Sequence, residues 1–171
     1  YFYSDKPALP SLLAALVYWP IHRLGAQLDY GWNLSYYLII LLTMKLFWIG
    51  SVLAFRESLK LLAPKLTPTH YLVMIFGFAS LSFTCTATFN NHSLAASSIM
   101  LGYLFYLRSK EMGSRLMLAL SGLFFGLATA MDIPTGVFMA GFTFLVILRW
   151  SINMKTVAYL LGALFPIGIH L

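Results

Sequence analysis

Apolar runs separated by short polar links fill this chain almost from end to end. Runs at about 34–55, 70–88, 92–108, 115–131, 134–150 and 156–171 each predict a helix. A hydrocarbon core about 30 Å thick takes about 20 mostly apolar helical residues to cross. The pattern therefore predicts an all-α fold, a polytopic membrane helix bundle of about six spans. Several runs lie at the short end for a crossing, so their boundaries are soft. An earlier run at about 8–28 is apolar too, but Pro20 removes a helix hydrogen bond and His22 and Arg23 interrupt it. That segment is expected to lie along the membrane interface.

The links sort into two kinds by charge. Those at 56–69, 108–115 and 149–155 hold Arg56, Lys60, Lys65, Arg108, Lys110, Arg115, Arg149 and Lys155, most of the 11 basic residues. Basic links stay on the cytoplasmic side, which leaves 1–33, 88–93 and 131–134 outside. The outer set contains Asp5, Lys6, Asp29, Asn90, Asn91, His92 and Asp132. Topology thus predicts that three polar stretches far apart in sequence, SDKP, FNNH and MDIP, share one face and are able to meet over one cavity.

Composition sharpens this picture. Apolar residues make up 60% of the 171 positions and charged ones 9%, where soluble domains carry roughly a quarter charged; mean hydropathy is +0.83. No water-soluble domain fits beside the spans. The net charge of +6 is spread in ones and twos between apolar runs, which is a topology signal and not a nucleic-acid surface. Cys85 is alone, so no intrachain disulfide forms, and no Cys/His cluster has zinc-site spacing. The chain starts at Tyr1 without a basic leader and stops inside an apolar run at Leu171, as a piece of a longer protein would. A first span before residue 1 and a C-terminal region beyond 171 are expected.

Each polar residue of the outer face has a plain reading and a chemical one. Asp5 and Lys6 are either a surface pair or a cation ligand and a phosphate partner. Pro7 and Pro10 stiffen the chain beside them. Asn91 suits a helix cap, as does Asp132 before Ile133 and Pro134; Asn90 and His92 are not needed for capping, and a surface His is able to hold a metal or a phosphate. NHS at 91–93 and NLS at 33–35 are also sequons, which recur by chance. Lys45 falls near the middle of the 34–55 run, where a charge costs about 2.5–3.5 kcal/mol, so it faces the bundle or a wet cavity unless it snorkels. Glu57, Glu111 and Asp29 read as solvated loop charges, His22 and His70 as interfacial residues, and His170 as a weak metal-ligand candidate.

The opening YFYSDKPALPSLLAALVY resembles the Y-(E/D)-K-P-P-L signature of bacterial integral-membrane glycosyltransferases of the GT-C fold. These are the RgtA/B/C/D-like and aminoarabinose-transferase-like proteins, related to protein O-mannosyltransferases. FNNHSLAASSIMLGYLFYLR and GLFFGLATAMDIPTGVF resemble later stretches of the same group, in the same order. The resemblance implies a partial GT-C-like transmembrane domain over 1–171, with 1–33 as an external loop carrying the interfacial helix and 34–171 as spans. It implies transfer of a sugar from a polyprenyl-phosphate donor to an acceptor (glycolipid, polysaccharide or protein) at the periplasmic or exterior face of the cell membrane. Asp5 then goes with a divalent metal cation and Lys6 with the lipid phosphate, while Asn91, His92 and Asp132 match recurrent positions of unassigned role. Ala8 departs from the motif's second Pro, and the family's catalytic acid precedes this chain's first residue. Two other readings stand beside it: a multi-pass transporter or lipid flippase using Lys45, and a non-catalytic membrane subunit.

Overall fold

The first long helix begins where it does because Asn33 caps it. Its side-chain oxygen accepts the amide N–H of Ser35 at 2.9 Å and of Tyr36 at 3.4 Å, satisfying donors that a helix start leaves open. In this computed structural model, which describes residues 7–25, 33–66 and 69–170, every regular element among the described residues is helical. The all-α expectation is met. In chain order the elements are α1 (Ala8–Arg23), α2 (Leu34–Ile40), a π-helical segment Leu41–Lys45, α3 (Leu46–Leu62) and α4 (Thr69–Met74). A second π segment Ile75–Ala79 follows, then α5 (Leu81–Cys85), α6 (Asn91–Met112), α7 (Arg115–Met131), a 3-10 turn Ile133–Thr135, α8 (Gly136–Trp150) and α9 (Met154–His170).

Several predicted boundaries move. α1 carries Pro20 inside it and ends at Arg23, short of 28. α2, the first π segment and α3 join into one 29-residue helix, Leu34–Leu62. At about 1.5 Å per residue that is about 43 Å, longer than a hydrocarbon core, and its excess end carries Arg56, Glu57 and Lys60. Glu57, expected as a loop charge, is therefore helical. The 70–88 run is not one helix: Ser80 turns to extended backbone (φ −86°, ψ 150°) and separates the second π segment from α5. Leu34–Leu62 and Ile133–Trp150 are the two helices, among the described residues, long and apolar enough to cross a membrane. α6 is longer than Ile133–Trp150 but less apolar, because its buried face is built of Ser93, Ala95, Ser97, Ser98 and Gly102. Covered by α3 and α7, it meets protein on these faces and needs small residues there more than apolar ones.

The tightest packing joins α7 to α9. A Cβ at Gly122 would overlap the carbonyl oxygen of Tyr159, one at Gly126 the carbonyl of Ala163, and one at Gly162 the carbonyl of Ala119. Glycine is required at all three, since the helices meet backbone to backbone, a small-residue seam of the kind that draws helices together where no hydrophobic force does. α7 also holds α6: Ser121 Oγ donates to the Gly102 carbonyl at 2.9 Å, and the Phe125 ring lies over Gly102. α8, by contrast, buries only Val146 fully, with Val137, Phe138, Phe144, Leu145 and Leu148 open to the surroundings.

The basic links meet at one end of the bundle. Glu57 on α3 receives Lys60 at 2.7 Å, Arg56 at 3.6 Å and, from α6, Arg108 at 3.5 Å. Lys155 lies beside Gly113, so all three basic links gather there.

Replacing Gly126 by Leu should destabilise the bundle by about 1–3 kcal/mol or more, the range for overpacking, whereas Gly141→Ala, which meets nothing within 4 Å, should be near neutral. Thermal unfolding in detergent checks this; equal midpoints for the two variants would refute the seam.

Candidate functional site

The end of the bundle opposite the basic links is organised by three consecutive residues, each with a different partner. Asn90 is the N-cap of α6: its Oδ1 accepts the Ser93 N–H at 2.8 Å, while its Nδ2 donates to the Cys85 carbonyl at 2.8 Å. Asn91, expected as the cap, is instead the first helical residue, and its amide donates to the Met131 carbonyl at 3.2 Å. His92 Nδ1 lies 2.8 Å from Asp132 Oδ2. Asp132 stands at the start of the 3-10 turn but makes no capping bond. The capping readings of Asn91 and Asp132 thus give way to tertiary contacts, and Asn90 alone caps.

These contacts clip the start of α6 to the end of α7 across 40 residues of chain. The exposures of the pair differ: the Asp132 side chain is 15% exposed and that of His92 73%. A largely buried carboxylate needs a partner, and His92 supplies it. A carboxylate only accepts, so Nδ1 carries the proton, and in the neutral ring Nε2 keeps its lone pair. Nε2 has no hydrogen-bond partner among the described residues.

Above the clip lies an open recess of about 360 Å³ lined by Pro7, Asn90, Asn91, His92, Asp132, Ile133 and Pro134. It unites the FNNH and MDIP stretches and reaches the SDKP stretch through Pro7. α1 is held there because Leu9 packs into one apolar cluster with Ile40, Met44, Leu94, Ala128 and Met131, beneath the polar rim. Asn90 and His92 form a ridge shared with a second recess of about 300 Å³, whose other walls are Leu81, Ser82, Cys85, Ser93 and Ala96. Nothing in the sequence pattern marked Ser82 or Cys85; they come to the site through the bend at Ser80.

Asp5 and Lys6, and the side chain of His170, lie outside the described residues. Among the described residues no three His, Cys, Asp or Glu side chains gather as a metal site. The recess offers one carboxylate and one imidazole, already bonded to each other, a donor set that does not by itself fit a divalent cation. Lys45 stands apart from the recess, in a groove between α3 and α5.

A double-mutant cycle on His92→Ala and Asp132→Ala should give a coupling of about 0.5–1.5 kcal/mol, as for one intramolecular hydrogen bond, read from unfolding midpoints; additive losses would mean that the pair does not form. Compared with known proteins, the chain matches no family model, no curated protein and no solved structure.

Proposed function

We propose that the chain is the transmembrane part of a glycosyltransferase that moves a sugar from a polyprenyl-phosphate donor to an acceptor at the extracytoplasmic face of the cell membrane. The observation that carries this reading is the recess, which Pro7, Asn90 to His92 and Asp132 to Pro134 line together. Sidedness read from charge alone puts these stretches on one face, where they are able to meet, and the same three stretches resemble GT-C glycosyltransferases. The multi-pass membrane reading draws further support from α8, on which Val137, Phe138, Phe144, Leu145 and Leu148 present an apolar face that no described residue covers. In water such a surface is costly; in lipid it costs nothing.

In this reading the donor's tail stays in the bilayer while its headgroup reaches the recess. Transfer inverts the sugar: an acid from the preceding external loop takes the acceptor's proton, the acceptor oxygen attacks the anomeric carbon, and the polyprenyl phosphate leaves. Negative charge grows on that phosphate, and Lys6, directly before Pro7, meets it as a point charge. Asp5 is the proposed ligand for a divalent cation. Asp132, His92 and Asn91 present acceptors and donors suited to sugar hydroxyls. A transporter or flippase calls for paired broken helices in two halves; among the described residues the break at Ser80 has no counterpart in α7, α8 or α9.

The test is a transfer assay with a panel of polyprenyl-phosphate sugars, on membranes from cells expressing the protein in full. One donor should be used, and Lys6→Ala should lower transfer by about 10²-fold or more, the order found when a charge-stabilising group is removed. Asp5→Ala should abolish it, with insertion intact in both. Wild-type rates in both variants remove them from the site, and turnover of no donor points to a non-catalytic subunit. Single cysteines at 91 and 111, in a Cys85→Ser background, should label from outside and inside respectively; the reverse pattern would overturn the active-site face.

A further inference from the structure

A separate groove lies along the long helix Leu34–Leu62. Lys45, Trp48, Ile49, Val52 and Leu53 line one wall of a groove of about 330 Å³, and Gly77, Phe78, Phe83 and Thr86 line the other. Positions 45, 48, 49, 52 and 53 form a single helical stripe. Over those eight steps the stripe runs about 12 Å, apolar throughout except for the ammonium at its head. Met44, next to Lys45, packs with Leu94 and Met131, near the start of α6 and the end of α7, so Lys45 stands close to the polar link at 88–93 and not at mid-span as the apolar run suggests. The groove is thus cationic at one end and apolar along its floor.

Two further observations set it apart from an ordinary seam. Lys45 makes no ion pair, hydrogen bond or ring contact among the described residues, although Glu57 on the same helix has three basic partners. Both π-helical segments border the groove: Lys45 closes the first, and Gly77 and Phe78 belong to the second. π turns cluster at functional sites. Gly77 brings its backbone against Val52, where an added Cβ would lie 3.5 Å away. Ile49, Leu53 and Phe78 remain exposed along the opening.

A charge placed in a membrane-spanning helix without a protein partner is expensive, and here an apolar groove runs beneath it. We propose that this groove binds an anionic glycerophospholipid, its phosphate on Lys45 and one acyl chain along Trp48, Val52, Leu53 and Phe78. Charge complementarity names the occupant: a zwitterionic lipid would bring its own cation to the same place. The proposal rests on the reading of Leu34–Leu62 as a membrane span and is independent of sugar transfer.

Native mass spectrometry of the protein ejected from nanodiscs of equal phosphatidylglycerol and phosphatidylcholine tests it. Wild type and Lys45→Arg should retain phosphatidylglycerol in preference. Lys45→Met, which keeps the length and apolarity of the helix, should retain about fivefold less, the weight of one lysine at an anionic lipid. Equal retention by wild type and Lys45→Met, or no preference between the lipids, would overturn the proposal. So would displacement of phosphatidylglycerol by an equimolar polyprenyl phosphate, which would assign the groove to that lipid. Failure to enter nanodiscs at all would instead sink the membrane reading, and is told apart by the absence of protein from the assembled discs.

Discussion

Everything at the recess depends on the contact of α7 with α9. Three glycines, Gly122, Gly126 and Gly162, let the two backbones touch, and this fixes the axial position of α7. Asp132 is the residue on which α7 ends, so the seam sets where that carboxylate stands. On the other flank, Ser121 and Phe125 lock α7 to Gly102 of α6, and α6 begins with the residues that face Asp132. One helix thus carries both the packing and the placement of the acid.

The rim of the recess then forms by an exchange of roles. A cap needs only one side chain, and Asn90 provides it. Asn91 and His92, relieved of capping, reach across to the Met131 carbonyl and to Asp132, and Asp132, relieved of capping the next turn, is free to receive His92. The polar contacts at this end and the ion pairs of Glu57 at the other are separated by apolar packing around Phe125, Leu118 and Tyr159. Such a layered distribution of polar groups suits a bundle whose ends are wet and whose middle is not.

Much of this was legible in the sequence. Apolar runs marked most of the helices, the 70–88 run excepted, and the scatter of lysines and arginines marked the grouping of FNNH with MDIP and, as far as Pro7, with SDKP, because both depend on composition over many residues. Local choices were harder to read. Nothing in the string NNH says which Asn caps, since that depends on whether Met131 and Asp132 come within reach. The break at Ser80 has no proline or charged residue to mark it. The seam of α7 was legible and passed over: Gly-Leu-Phe-Phe-Gly at 122–126 has glycines four apart, the spacing of a close helix contact. Its partner Gly162 lies too far along the chain for spacing alone to connect them. Asp5 and Lys6 carry the proposed chemistry from a stretch that the structure does not describe, and their weight rests on Pro7.

The run Asn90, Asn91, His92 has a consequence for how this segment is able to vary. Each residue serves a different element: the α6 start and the turn after α5, the α7 carbonyl end, and the acid at the α7–α8 corner. Helical geometry turns each successive side chain by about 100°, which is why adjacent residues point to separate neighbours. Insertion or deletion of a single residue between positions 92 and 102 barely changes composition or hydropathy, yet it turns all three side chains by about 100° relative to the face that Gly102 presents to α7. The segment works as a phase marker for the bundle, in which order matters more than content.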